Sequence, residues 1–254
     1  EAEKLHCWPN IWPECMNLKD PAEAYFAHME GYSVLVQEIL SLALGEEKDF
    51  LFNFCNNGDT SSRMIRYPHI KDAKEVQGQV LWCAEHTDIG LFTILPKPTA
   101  EGLELLRKDG TWMNVYAGED TFVVNAGDLL EIFSNGYFKS TVHRVVKPKS
   151  MHKDRYSATL FVHPRSEVML YPLDKWIEEA GGEKKYIEAT RYEMLMERLA
   201  DNGLASDRML KELAESKVLE RLMSVNRASE EAMRAVSDAG YATDKIKEKL
   251  SSLK

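Results

Sequence analysis

Positive charge is in deficit: 32 Lys and Arg stand against 41 Asp and Glu, a formal net charge of −9. That balance argues against an extended nucleic-acid or anionic-membrane surface, and no local Lys/Arg cluster reverses it. Cysteine is scarce as well. Cys7, Cys15, Cys55 and Cys83 form neither a C-x-x-C pair nor a dense framework. They read as reduced thiols of an intracellular, cytoplasmic protein, with disulfides as the alternative. No apolar run approaches the ~18 residues a membrane span needs. The opening "EAEKLHCWPN" has no initiator Met and no signal-peptide pattern, so a fragment of something longer is one expectation. Internal repeats and low-complexity tracts are not evident. What is there is 254 residues with 44% apolar side chains, enough to bury the core of one large domain or two small ones.

The pattern divides the chain into three segments, 1–62, 63–172 and 173–254. In the first, "DPAEAYFAHMEGYSVLVQEILSLALG" reads as a helix. Asp20 suits a cap, Pro21 the first helical position, and Gly45 the stop. Phe26, Met29, Val36, Ile39, Leu40 and Leu44 mark an apolar stripe of helical period. The second segment is a series of short β-branched and aromatic runs with no helical pattern between them. Asp109-Gly110 and Asn135-Gly136 sit where tight hairpin turns are expected. This predicts antiparallel β structure, a sandwich or a barrel, flanked by helices. In the third, Thr190 with Glu193 makes a capping box, and Ser206 suits a second cap. The remainder to Lys254 is charged, with weak amphipathy, and reads as partly frayed surface helix.

Chemistry concentrates in the middle segment. In "AEHTDIGLFTIL", His86 and Asp88 stand at i and i+2, positions that share one face of a strand. Alone the pair is a weak signal. His143, in "YFKSTVHRVVKP", adds a second imidazole from another β run. Two imidazoles and one carboxylate on one face of an octahedral ion leave three positions open, the arrangement of non-haem Fe(II) oxygenases. Zinc is the alternative, although its catalytic sites use other ligand spacings. Downstream, Arg155 and Ser157 in "RYSATLF" are again i and i+2. A guanidinium fork beside a hydroxyl is a carboxylate receptor. The bland alternative is an arginine paired with a protein carboxylate at the barrel rim. The same parity turns Thr159, Phe161 and His163 inward. Phe161 suits a substrate wall or simple core packing, and His163 a substrate wall or a hydrogen-bonded rim position. Gly127 and Asp128 read as turn chemistry, and His6, His28, His69 and His152 need no role.

These motifs, taken in order, resemble a known family. "HTD", "GLELLRKDGTWMNV", "TFVVNAGDLLEIFSNGYFKSTVHRV" and "RYSATLFVHP" are similar to the 2-oxoglutarate/Fe(II)-dependent dioxygenases of the isopenicillin N synthase-like superfamily. The resemblance runs from about residue 8 to residue 204 and is densest over 63–164. It implies a mainly β fold with flanking helices and a double-stranded β-helix (jelly-roll) core. It implies Fe(II) held by His86, Asp88 and His143, and the distal carboxylate of 2-oxoglutarate held by Arg155 and Ser157. Tyr67, in "IRYP", matches a family tyrosine lining the co-substrate or substrate site. The implied reaction consumes O2 and 2-oxoglutarate, releases succinate and CO2, and hydroxylates, desaturates or cyclises a small-molecule substrate.

The sequence departs from the family pattern in three places. The family's N-terminal part, which supplies outer strands and one wall of the substrate site, is missing. The expectation is a fragment, or a partner covering an otherwise exposed sheet edge, on a protein that is otherwise a monomer or weak homo-oligomer. Ile65 stands where many plant-type members have Asn, and "IRYP" is closer to the isopenicillin N synthase form. That enzyme uses the same R-x-S pair on its substrate and needs no 2-oxoglutarate. An oxidase of that type therefore stays open as an alternative, as does an inactive jelly-roll binding homologue. Residues 205–254 extend beyond the usual end of the family.

Overall fold

The computed structural model describes residues 9–69, 80–148 and 153–253. His6, Cys7, Trp8 and His152 lie outside the described residues. Contacts divide the chain into two compact units: Glu1–Leu130 with Lys139–Pro164, and Glu131–Phe138 with Arg165–Lys254. The N-terminal helices, expected over 1–62 as a segment packing on the barrel, lie in the same unit as the strands.

In the first unit, α1 (Lys19–Leu44) and α2 (Phe50–Cys55) precede eight strands. These are β1 (Ser61–Tyr67), β2 (Val80–His86), β3 (Phe92–Pro96), β4 (Leu103–Leu106), β5 (Trp112–Asn114), β6 (Phe122–Ala126), β7 (His143–Lys147) and β8 (Arg155–Val162). They form two four-stranded sheets, ordered β1-β8-β3-β6 and β2-β7-β4-β5, with every pairing antiparallel. One cluster of apolar side chains draws Tyr67, Ile65 and Leu95 from the first sheet and Leu103, Val145 and Trp82 from the second. Two antiparallel sheets closing on a shared interior make the expected jelly-roll core. On the first sheet, Phe92, Ile94, Leu160 and Val162 are fully buried. Each contributes about 1.5–3 kcal/mol by removal from water, an upper bound because unfolded chains already bury some apolar area. Asp109-Gly110 makes the β4–β5 turn, with Leu106 opposite Trp112 and Gly110 at φ 83°.

Two readings of local structure need correction. A helix, α3 (Asp128–Phe133), interrupts the run read as continuous strand, and Asn135-Gly136 ends it instead of turning a hairpin. The Gly136 and Asn135 N–H groups donate to the Glu131 and Ile132 carbonyls, and both residues take positive φ, the usual close of a helix. The face of α1 also differs. Ile39, assigned to the apolar stripe, is 58% exposed, while Met29, Ser33, Gln37, Ser41 and Leu44 are buried. Small polar residues at i, i+4 are tolerated inside because their groups bond within the helix. Ser41 Oγ donates to the Gln37 carbonyl at 2.7 Å and Gln37 Nε2 to the Ser33 carbonyl at 3.1 Å. The helix starts at Lys19 with Leu18 as its N-cap, so Asp20 and Pro21 fall inside the first turn.

The second unit holds a two-stranded ribbon, β9 (Met169–Leu170) with β10 (Ala189–Thr190), and six helices: α4 (Asp174–Glu179), α5 (Arg191–Asp201), α6 (Asp207–Glu215), α7 (Val218–Ser224), α8 (Glu230–Asp238) and α9 (Asp244–Ser252). The Thr190/Glu193 capping box and the Ser206 cap are present. Ser229 and Thr243 cap α8 and α9 in the same way. The stretch read as frayed surface helix is packed: Met233, Val236 and Ile246 are at most 1% exposed, in one core with Leu213, Leu219 and Leu222. Each of these helices spans only two to three turns, so its apolar stripe is two or three residues wide and easily hidden by flanking charge. Among the described residues, no helix is long and apolar enough to cross a membrane.

Candidate metal centre

β2 ends at His86, which lies directly opposite His143, the first residue of β7. Opposed residues of an antiparallel ladder project to the same side. The register alone therefore brings the two imidazoles together, with ring centroids 4.3 Å apart. Asp88 joins them by a different route from the strand alternation its spacing suggested. The strand has ended, and residues 87–91 turn across the start of α3. There the Asp88, Gly90 and Leu91 carbonyls accept the N–H groups of Asp128, Leu129 and Gly127 at 2.8, 3.2 and 3.0 Å. Gly127 makes this approach feasible, since a Cβ at that position would collide with the Gly90 carbonyl. The Asn125–Asp128 turn thus fixes the backbone that carries the carboxylate.

Each group is held by the atom facing away from the others. His86 Nδ1 is 2.8 Å from the Ala84 carbonyl and His143 Nδ1 is 3.1 Å from that of Thr141. A proton on each Nδ1 satisfies both carbonyls and leaves each Nε2 with a free lone pair. Asp88 Oδ2 accepts from Thr93 Oγ1 at 2.6 Å and from Asn125 Nδ2 at 2.8 Å. Its Oδ1 faces His86 Nε2 at 3.9 Å and His143 Nε2 at 3.7 Å, too far for direct hydrogen bonds. The ligand atoms of all three residues lie within 4.8 Å of one another. Two imidazoles, neutral once they ligate, and a carboxylate, each oriented by an outer hydrogen bond, make a fitting donor set for a divalent transition metal. Asp88 and His143 are buried while the His86 side chain is 42% exposed, so the cluster is open on one side.

The two imidazoles titrate in opposite directions. The Cys83 sulfur at 3.8 Å, helped by the Ala84 carbonyl and the Asp88 charge, pushes His86 up to about 9 despite its partial burial. Burial pushes His143 below the ordinary value, against the pull of Asp88. His143 is therefore neutral and ready to ligate at pH 7, whereas His86 carries a proton that a metal must displace.

Arg155 and Ser157 share the inward face of β8, as expected, and both line a cavity of about 390 Å³ with Leu95, Leu103, Val115 and Val123. Arg155 is only 3% exposed. Its Nε donates to the Ala100 carbonyl at 3.0 Å, and its guanidinium carbon lies 4.9 Å from the Tyr67 ring centroid. Among the described residues its Nη1 finds no acceptor and no carboxylate pairs with it, which removes the rim ion pair as an explanation. Burial lowers its pKa from the ordinary value, yet arginine keeps its charge, so a buried cation here calls for an anion. Burial likewise raises Tyr67, held opposite Arg155 by the β1–β8 register. Phe161 lies opposite Thr93. His163 lies just past the end of β8, half-buried, with its ring against Gly90, two residues after Asp88. Thr93 and Asn125 are partners that the sequence pattern did not mark. Their only signal is a polar residue inside an apolar run, in "LFTIL" and "FVVNA".

Fold and site together define a class: a jelly roll with a two-histidine, one-carboxylate cluster and, apart from it, a buried arginine that lines a cavity. Residues 54–164 match the profile of the 2OG-Fe(II) oxygenase superfamily. That segment contains every site residue described above. The 2-oxoglutarate-dependent dioxygenase 11 of Oryza sativa subsp. japonica is 29% identical over 188 residues, 73% of this chain and 49% of that protein. Homoarginine-6-hydroxylase 2-ODD-233 from the same plant is 30% identical over 197 residues, 76% of this chain and 59% of that protein. Among solved structures, a full-length Neurospora crassa protein in complex with alpha-KG superposes with a TM-score of 0.69 at 28% identity, covering 76% of this chain and 62% of that one. The chain thus spans about half the length of the curated relatives it matches.

Proposed function

We propose that this chain is an oxygenase that uses Fe(II), O2 and 2-oxoglutarate to oxidise a small organic molecule, by hydroxylation, desaturation or cyclisation. The observation that carries the reading is the convergence of His86, Asp88 and His143, each anchored through the atom that faces away from the cluster. His86 and His143 Nε2 and Asp88 Oδ1 would hold the iron. Arg155 and Ser157, with Tyr67 alongside, would hold the distal carboxylate of 2-oxoglutarate, and the acceptor-free Nη1 of Arg155 supports this. Bound together, Fe(II), 2-oxoglutarate and O2 supply an oxidant strong enough for unactivated C–H bonds, with succinate and CO2 released.

The protein's own part is positioning and exclusion of water. Thr93 and Asn125 fix the Asp88 carboxylate, so that one oxygen is spent on the protein and one is presented. The Ala84 and Thr141 carbonyls select the ligating tautomers. Apolar walls from Leu95, Leu103, Val115 and Val123 strengthen the attraction of Arg155 for a carboxylate by keeping water away. Phe161 and His163 would line the substrate side.

The reading is tested by incubating the protein with Fe(II), ascorbate and 2-oxoglutarate and following succinate and CO2, with and without candidate substrates. Iron-dependent succinate formation, lost in Asp88→Ala, is expected. Substrate oxidation without decarboxylation would favour an oxidase of the isopenicillin N synthase type. Absence of stoichiometric Fe(II) binding would favour a non-enzymatic jelly roll.

A further inference from the structure

The connection from β3 to β4 forms a strap, residues 97–102, that is bonded to the start of β8. The Thr99 N–H donates to the Tyr156 carbonyl at 3.0 Å, and the Thr99 hydroxyl accepts the Tyr156 N–H at 2.8 Å. One residue on, the Ala100 carbonyl accepts from Arg155 Nε at 3.0 Å. A closed ring of contacts therefore runs from the Arg155 backbone through Tyr156, Thr99 and Ala100 to the Arg155 guanidinium. The strap is stiff as well. Pro96, where it leaves β3, and Pro98 each hold φ near one value. Gly102 anchors its other end. The Gly102 carbonyl accepts the Val146 N–H at 2.8 Å, and at φ 127° a Cβ there would collide with the Val146 carbonyl. β3 lies in one sheet and β7, which carries Val146, in the other, so the strap is fixed to both. A guanidinium can meet a carboxylate with the edge that contains Nε or with the edge between its two Nη atoms. Nε is spent on Ala100, whereas Nη1 has no acceptor among the described residues. The strap thus settles which edge of Arg155 is left for a ligand and where that edge stands.

Resting on the oxygenase reading above, we infer that Thr99 is a positioning residue for the co-substrate. By tying the strap to Tyr156, it holds the Ala100 carbonyl where that carbonyl orients Arg155. It thereby sets the length of 2-oxo diacid that reaches from the metal cluster to the receptor. A guanidinium held in one place accepts 2-oxoglutarate and disfavours 2-oxoadipate, the homologue with one more methylene. A guanidinium free to turn binds both, and binds 2-oxoglutarate less tightly because the ligand must then order it. Thr99 acts through Arg155, and its hydroxyl oxygen is the atom that matters.

The test uses the anaerobic protein loaded with Mn(II), titrated by calorimetry with 2-oxoglutarate and with 2-oxoadipate. Wild type is expected to bind 2-oxoglutarate more tightly by about ten-fold. Thr99→Val keeps the shape and removes the acceptor, and because Thr99 is exposed the core is left untouched. It should weaken 2-oxoglutarate by about five- to ten-fold, the worth of one hydrogen bond, and bring the two diacids to within about three-fold of each other. Its Mn(II) affinity and melting curve should match wild type. Thr99→Ser retains the oxygen and should keep both the affinity and the preference. Wild type that does not discriminate between the diacids would overturn the inference, as would wild-type affinity and preference in Thr99→Val. Equal losses in Thr99→Ser and Thr99→Val would overturn it too, since the hydroxyl oxygen would then not be the cause. Failure of 2-oxoglutarate to bind the metal-loaded wild type would overturn the oxygenase reading, and the assignment of Thr99 with it. That titration is run before any variant is compared.

Discussion

Thr93→Val is the most informative perturbation of the cluster, because it removes one hydroxyl and keeps the shape. Asp88 Oδ2 accepts from Thr93 at 2.6 Å and from Asn125 at 2.8 Å. Thr93 is 1% and Asn125 9% exposed, so water cannot readily replace the lost donor. A hydrogen bond to a charged acceptor contributes about 1.5–3 kcal/mol, and each 1.4 kcal/mol is a factor of ten in an equilibrium constant. Freed on that side, the carboxylate rotates and presents Oδ1 less often to the two imidazoles. Loss of an outer-shell partner typically lowers metal affinity by about 10–100-fold, in agreement with that energy. The assay is anaerobic competition for Mn(II) or Fe(II) against a chelator of known affinity, with circular dichroism as the folding control. Asn125→Leu should show a similar loss, and the double variant less than the product of the two, since both act on one oxygen. Metal affinity within two-fold of wild type in folded Thr93→Val would refute the argument that these bonds orient Asp88.

Three further outcomes follow from the same geometry. Because His86 stands near 9 and must lose its proton to ligate, apparent metal affinity should rise by about one decade per pH unit between pH 6.5 and 8.5, flattening above 9. Cys83→Ala removes the main cause of the shift, so titration of metal binding should then level off at lower pH. Arg155→Gln should weaken 2-oxoglutarate binding by about 100-fold, on the order of 3 kcal/mol for a buried charged bond, while metal affinity stays within a few fold. Its melting temperature should not fall, since the substitution removes a buried cation without a protein carboxylate partner. Gly127→Ala forces its Cβ against the Gly90 carbonyl, so a loss of about 1–3 kcal/mol and several degrees of melting temperature is expected, together with weaker metal binding through the displaced Asp88.

How legible the molecule is from its sequence depends on which interactions set each feature. The Asp109-Gly110 hairpin follows from short-range alternation and turn preference, and it stands where the pattern placed it. The middle run hid α3 because "DLLEIF" is as apolar as the strands beside it, and its helical start depends on contacts with Asp88 and Gly90 far away in sequence. The face of α1 was misjudged at Ile39 because Ser33, Gln37 and Ser41 each donate to a carbonyl of their own helix, which composition cannot register. The triad was legible as residue types, while its geometry was not. His86 and His143 meet through strand register, and Asp88 arrives through a turn secured by Gly127. Thr93 and Asn125 were invisible as partners, since a polar residue in a strand has many uses until its neighbour is known.

The central claim is that one barrel holds a metal on His86, Asp88 and His143 and a 2-oxoglutarate carboxylate on Arg155 and Ser157. It is tested most directly by calorimetric titration of 2-oxoglutarate into anaerobic protein, with and without Mn(II), in wild type, His86→Ala and Arg155→Gln. Saturable binding of one 2-oxoglutarate per chain is predicted, dependent on the metal and lost in both variants. Binding of equal strength without metal, or binding untouched by Arg155→Gln in folded protein, would contradict the claim.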